Sequence, residues 1–366
     1  MVSEVLILGG GLAGASAALE LARADVPVRL LERETGPHHK VCGEFLSIEA
    51  QHDLRRLGLD PVRLGAVPVD RVRLVSGGTR IEAALPFQAL GLSRKCLDEA
   101  LLEAAQSEGA QVERGVKVIA LEEGKIATST GSRTAERVFL ATGKHEIRGA
   151  RRDAGSGADY IGFKMHWRLA PRRMSEVGSA IELAPFDGGY AGLQCVAHDV
   201  LNLCLLVRRE RFARLGGHWE DLLAELMRAP HLERLLGDAE AVFSRPLTIA
   251  NLPYGYVCDP VSPLPPGVFR LGDQAAITAP LTGDGMAIAT RSARLAVACL
   301  RAGSGPAEYH GKLQELVRSQ VTRAMLLQRA VELPLAIRCV AGLLGLWPGV
   351  LGRLAGMTRL AQVPPM

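Results

Sequence analysis

The chain has 366 residues, 48% of them hydrophobic and 22% charged, with 40 glycines and a formal net charge of +4. That balance excludes disorder, collagen and a disulfide-stapled miniprotein, and the charge is too small for this length to point to nucleic acid. The charge is also uneven: from Lys312 onward seven basic residues stand against two acidic ones, so a basic tail follows an electrically neutral body. Seven scattered cysteines without a C-x-x-C pair predict neither a disulfide framework nor a zinc site, and fit a reducing cytoplasm. His38 and His39 are adjacent and would point apart on a helix or strand, so no metal site is expected. Glu4 stands where a signal peptide needs a basic region, and the most apolar stretch, 333–351, is interrupted by Pro334, Arg338 and Pro348. No signal peptide and no membrane span are therefore expected.

Residues 5–8 read as a short buried strand running into Gly9-Gly10-Gly11-Leu12-Ala13-Gly14, a G-x-G-x-x-G match. An alanine- and leucine-rich helix follows over 15–24, then a second strand over 26–31 that ends at Glu32 and Arg33. Each part has a physical task. Gly9 permits the tight turn, Gly11 lets the backbone approach a pyrophosphate, and Gly14 allows close helix–strand contact. The helix start at Leu12 and Ala13 presents free N–H groups and a positive dipole to phosphates, and Glu32 can accept both ribose hydroxyls. Together they predict a dinucleotide site of the βαβ type, with the acid disfavouring a 2′-phosphate. They do not separate NAD from FAD.

Further along, 69–75 alternates as a strand, 97–105 is helical and 115–118 is a strand ending at Val118. Residues 161–168 alternate so that Lys164, His166 and Arg168 share one face, either a solvated basic face or one that meets the substrate, with His166 a candidate general base. Strands are expected at 180–183, 189–196 and 201–207, and again at 267–271. There Gly272-Asp273 would put a carboxylate at the cofactor's edge. Pro280-Leu281-Thr282-Gly283-Asp284-Gly285-Met286 then opens an apolar helix over 287–300, its backbone N–H groups suited to partial negative charge on a flavin ring. Residues 313–360 are helix-like, with a hydrophobic knot at 343–347. Three readings fit: packing helices, part of a substrate channel, or peripheral contact with an anionic membrane.

The pairing of the two glycine-rich segments resembles the FAD-dependent oxidoreductases of the p-hydroxybenzoate hydroxylase superfamily, in the branch shared by aromatic and quinone monooxygenases and geranylgeranyl reductases. Lys40-Val41-Cys42-Gly43-Glu44, Leu92-Ser93-Arg94 and Ala141-Thr142-Gly143 add to it. The resemblance implies an α/β fold: a Rossmann-like FAD-binding domain of the p-hydroxybenzoate hydroxylase/glutathione reductase type, a mixed β-sheet substrate domain and a helical C-terminal tail. The FAD domain would be discontinuous over 1–67, 94–158 and 245–305, with the substrate domain over 68–93 and 159–244 and helices over 306–366. Carried over by position, Gly9, Gly11, Leu12, Ala13, Gly14, Glu32 and Arg33 go to the nucleotide half of FAD. Lys40 and Cys42 go to the cofactor's neighbourhood, Arg94 to its phosphates or ribityl chain, and Val118 to adenine. Gly272 and Asp273 go to the ribityl chain, and Gly283, Asp284, Gly285 and Met286 to the isoalloxazine.

Cys42, Glu44 and His166 are the candidates for chemistry: a thiol beside the flavin, an acid/base or a salt-bridge partner of Lys40, and a base. The implied activity is a cytoplasmic FAD-dependent monooxygenase of secondary metabolism. It would hydroxylate or epoxidise a hydrophobic aromatic or polyketide-type molecule, with the flavin C4a-hydroperoxide as oxygen donor. A reductase of isoprenoid double bonds and a non-catalytic flavin-binding redox partner are the alternatives. Residues 141–148 keep the Gly and Arg of the family's second dinucleotide motif but lack its acid, so NAD(P)H or a separate reductase stays open as electron donor.

Overall fold

The computed structural model describes residues 3–76, 79–122, 124–152, 159–261, 264–331, 349–357 and 359–360. In chain order these form β1 (Val5–Leu8), α1 (Leu12–Arg23), β2 (Val28–Glu32), β3 (Phe45–Leu46), α2 (Ile48–Arg56), β4 (Val67–Ser76), β5 (Thr79–Gly91), α3 (Arg94–Ser107) and β6 (Gln111–Arg114). A meander of β7 (Val118–Glu122), β8 (Lys125–Thr128) and β9 (Gly131–Thr134) precedes β10 (Arg137–Leu140). The middle holds β11 (Tyr160–Arg168), α4 (Pro171–Val177), β12 (Ala180–Phe186), β13 (Gly189–Cys195), β14 (Val200–Arg208), α5 (Arg209–Arg214), α6 (Trp219–Met227), α7 (Pro230–Leu236), β15 (Glu240–Ala241) and β16 (Leu247–Ala250). Then come β17 (Val268–Arg270), α8 (Gly285–Arg301), α9 (Pro306–Val331) and α10 (Gly349–Met357).

β1 is apolar at every position because it is buried on both faces, as the centre of a parallel sheet must be. The order is β17-β10-β1-β2-β6, with every neighbour parallel. One face packs on α1, α3, α8 and α9 through Leu19, Leu101, Ala293 and Val317. The other is covered by the β7–β9 meander through Leu121 and Ile126. The extended run expected at 115–118 is broken at Gly115, whose φ of +75° turns the chain, so Val118 opens β7 instead of ending a strand.

The second sheet runs β15-β11-β14-β13-β12-β4-β5-β3, with β16 also on β11; it is antiparallel except where β12 meets β4. Odd-numbered residues of β11, from Ile161 to Trp167, face a core shared with α6 and α7. The even positions face the other way, but not into solvent: Lys164 and His166 are 0% and 2% exposed, and only Arg168 reaches the surface, paired with Asp199 and Glu240. The period-2 reading of this strand was right and the solvated-face option was not, because this second face also abuts protein. In the tail, helix is found at α9 and α10; the knot at 343–347 lies outside the described residues. No helix among the described residues is long and apolar enough to cross a membrane.

Candidate active site

A cavity of about 750 Å³ lies along the ends of β1 and β2 and continues across the inner face of the second sheet. Of the residues singled out in the sequence, it brings together Gly9, Gly11, Leu12, Ala13, Glu32, Arg33, Lys40, Cys42, Glu44, Arg94, Val118, Gly272, Asp273, Gly283, Gly285 and Met286. Gly14, Asp284 and His166 are not among its walls.

At the first end, Gly14 packs against the turn so closely that a Cβ there would lie 1.9 Å from the Gly9 carbonyl oxygen. The buried Glu32 carboxylate accepts from the Gly10 amide at 2.7 Å and the Glu34 amide at 3.0 Å, so it braces the turn as well as facing the cavity. Two cations stand over the turn: a Cβ at Gly11 would lie 3.1 Å from Lys40 Nζ and 3.8 Å from Arg94 Nη2. Asp98 fixes both, at 3.0 Å from Lys40 and 2.8 and 2.9 Å from the Arg94 fork. Burial alone would raise the Asp98 carboxyl, but Arg94 and Lys40 hold it below its ordinary value. An open turn of backbone amides faced by two anchored cations fits a pyrophosphate, and the groove beyond it reaches Val118. These residues suit the nucleotide half of FAD.

At the other end, Gly285 and Met286 open α8 against the cavity, and nothing lies within 4 Å of a Cβ built at Gly285. This exposed helix start suits the ring of a flavin. Asp284 does not share that role. Its side chain is buried inside the protein, accepting from Gln320 Nε2 of α9 at 2.6 Å and pairing with Arg359 Nη1 at 2.9 Å. Arg359 also donates to the Thr282 carbonyl and lies over the Phe87 ring at 5.1 Å. Burial pushes the Asp284 carboxyl up to about 7 despite the Arg359 charge. The basic tail thus ties down the loop that the sequence assigned wholly to the cofactor.

Glu44 is fully buried, with a φ of +60° that a non-glycine residue adopts only under strain. The sequence offered Lys40 as its partner. Instead one carboxylate oxygen takes Lys164 Nζ at 2.5 Å and the Arg94 amide at 2.7 Å, and the other meets His166 Nε2 at 2.7 Å. Burial would raise this carboxyl, yet Lys164 and His166 together hold it below the usual range. His166 therefore lies behind the cavity wall, bonded to Glu44 and packed edge-on against His39, both of which line it. His39, Glu44 and His166 bring potential metal-ligand atoms within 4.8 Å of one another, a convergence the adjacent-histidine argument missed because His166 comes from β11, far along the chain from His39 and Glu44. The Lys164 ammonium already sits on this carboxylate and opposes a second cation there.

Sheet register explains this arrangement. His166 pairs with Asn202, which pairs with Gln194, forming one row across β11, β14 and β13 beneath the 41–44 segment. Asn202, Gln194, Lys144 and Asp98 were not anticipated. Asn202 had a signal, being the single polar amide in the apolar run of β14. Beyond Cys42, which is half-buried, the cavity becomes apolar, walled by Ile181, Leu183, Tyr190, Leu206, Ile249 and Tyr254 and closed by Leu351 and Leu354 of α10.

Residues 2–148 match the FAD binding domain family. The menaquinone reductase of Mycolicibacterium smegmatis is 24% identical, across 92% of this chain and 85% of its own. In three dimensions the flavin-dependent brominase Bmp2 superposes with a TM-score of 0.75 at 16% identity, over 97% of this chain and 94% of that one. PqsL of P. aeruginosa, solved in complex with 2-aminobenzoylacetate, gives 0.71 at 18% identity, over 93% and 99%. These structural likenesses are likenesses of fold.

Proposed function

We propose that this chain, an FAD-dependent oxidoreductase that resembles the p-hydroxybenzoate hydroxylase superfamily and matches the FAD binding domain family over residues 2–148, inserts oxygen into a hydrophobic aromatic or polyketide-type small molecule. The observation behind this reading is the continuity of the cofactor groove with an apolar chamber, in a single cavity of about 750 Å³. FAD, when bound and reduced, would supply the electrons that activate dioxygen, the source of the inserted oxygen. The chain's residues do the rest. Gly9, Gly11, Lys40 and Arg94 hold the pyrophosphate, Glu32 the ribose, and Asp273 the ribityl chain. The start of α8 receives the ring. Leu183, Tyr190 and Leu206 orient the substrate, and α10 excludes water. Cys42 stands at the junction of groove and chamber, its Sγ 3.3 Å from the Glu44 amide.

A second reading, reduction of a quinone-type or isoprenoid substrate, is favoured by similarity to menaquinone reductase along nearly the whole chain. Photoreduced, FAD-loaded enzyme mixed with candidate substrates in labelled dioxygen separates them. Oxygen insertion yields a product carrying one labelled oxygen, and only in its presence; a product heavier by two hydrogens, formed anaerobically, overturns that reading in favour of reduction. Adding bromide to the same mixture exposes halogenation. NAD(P)H added alone, with flavin bleaching as readout, distinguishes a directly bound donor from a separate reductase.

A further inference from the structure

The tyrosines of this chain differ in what their hydroxyls do. Tyr309 donates to Arg270 O at 2.7 Å, and the Tyr256 hydroxyl meets the Cys258 thiol. Tyr160 and Tyr190 also have partners. Tyr254 is 8% exposed and lines the cavity, yet its hydroxyl makes no hydrogen bond among the described residues. Its position is fixed all the same. Tyr254 N donates to Leu252 O at 2.9 Å and Gly255 N to Ile277 O at 2.8 Å, while Ile277 N returns to Tyr256 O at 2.8 Å. The turn is thus tied to the segment that follows Asp273. Gly255 turns the chain at a φ of +88°, and Met325 of α9 comes within 3.3 Å of a Cβ built there. The Tyr254 ring packs edge-on against Tyr160 at 6.1 Å and into a cluster with Leu206 and Ile277. A hydroxyl held this firmly, buried and without an acceptor, costs free energy unless a ligand supplies one.

The surroundings decide what kind of acceptor. Burial raises the Tyr254 hydroxyl well above its ordinary value, and Cys204, Asp273 and Tyr160 add to the effect, so the proton stays on the oxygen. The same groups disfavour any negative charge beside it. A carboxylate or phenolate is therefore unsuited to this place, and a neutral oxygen fits. Leu206, Ile249 and Ile277 flank the ring, so that oxygen must be carried on an apolar skeleton. Gln194, an amide in the same cavity wall, already donates to Gly43 O at 2.9 Å. A carbonyl set on an apolar frame meets both demands.

Resting on the reading of the apolar chamber as the substrate's place, we propose that Tyr254 is a specificity-determining residue whose hydroxyl donates to a neutral carbonyl oxygen of the substrate, so that the enzyme selects hydrophobic ketones and quinones over hydrocarbons of the same shape.

The test uses fluorenone and fluorene, tricyclic molecules of nearly equal shape that differ by the carbonyl, bound to the full-length protein carrying oxidised FAD. Equilibrium dialysis gives the two affinities, and infrared spectroscopy gives the carbonyl stretch of bound fluorenone. In the unaltered protein that stretch should lie below its frequency in cyclohexane, as a hydrogen-bonded carbonyl requires. In Tyr254→Phe it should return to the cyclohexane value. The ratio of fluorenone to fluorene affinity should fall by about fivefold in that variant, the worth of one neutral hydrogen bond. Fluorene affinity should stay within about twofold. A cyclohexane-like stretch in the unaltered protein overturns the proposal without recourse to any variant. An unchanged affinity ratio in Tyr254→Phe, including an equal loss for both ligands, overturns it too and leaves the chamber reading standing. A flavin absorption spectrum that shifts in ligand-free Tyr254→Phe, with the ratio unchanged, assigns the hydroxyl to the cofactor instead. If neither molecule binds, the chamber reading fails and takes the proposal with it.

Discussion

Glu44 is the residue on which three separated segments converge, and replacing it tests how firmly they depend on it. Glu44→Gln keeps the shape of the side chain but leaves Lys164, 0% exposed, without a buried counter-charge. A loss of about 3–5 kcal/mol in urea unfolding is expected at neutral pH. The pH dependence has a fixed sign. Because the folded protein holds this carboxyl below its ordinary value of 4.5, the stabilisation is present above that value and is lost as pH falls through the lower, folded one. The curves of wild type and variant should therefore converge only in acid; parallel curves down to low pH would refute the assignment. The sequence marked Glu44, Lys164 and His166 individually. It did not show them meeting, since the pairing of His166 with Asn202 and Gln194 depends on strand register across β11, β14 and β13. Local periodicity says which residues share a face, and register says which of them are neighbours.

Among the elements, those of the dinucleotide unit were the most legible, because Gly9, Gly14 and Glu32 each answer a local geometric demand within one βαβ turn. The tail was the least legible: its amphipathic pattern favours packing, with a channel wall and then membrane contact as the other readings. The described helices favour the first two, with Tyr309 and Val317 of α9 in the main core and Leu351 and Leu354 of α10 in the cavity wall. Asp284 joins this tail to the loop before α8. Its carboxyl is raised to about 7 from 3.8, so the folded state binds an extra proton between those values and the contribution of this group to stability falls as pH rises from roughly 4 to 7. Asp284→Asn should abolish that decline, with Gln320 still able to donate to the amide oxygen. Urea melts near pH 5 and pH 7.5 measure it, and an unchanged slope in the variant would show that another group carries the effect.

Viewed as one molecule, the protein builds its two halves from very different reaches of chain. β1, α1 and β2 place most of the nucleotide-facing groups within the first few dozen residues. The chamber instead requires β12 to find β4 in parallel, across more than a hundred intervening residues, and α10 to settle on β5 from the opposite end of the chain. Such closures are costly in loop entropy and slow. On refolding from urea in the presence of FAD, quenching of flavin fluorescence should therefore precede recovery of substrate turnover, and simultaneous recovery would contradict this order. Arg359, stacked over Phe87 and paired with Asp284, then has a temporal meaning besides its structural one. If refolding follows that order, a flavin would be held while its reactive side still faces water, and the pairing of Arg359 with Asp284 would mark the end of that stage.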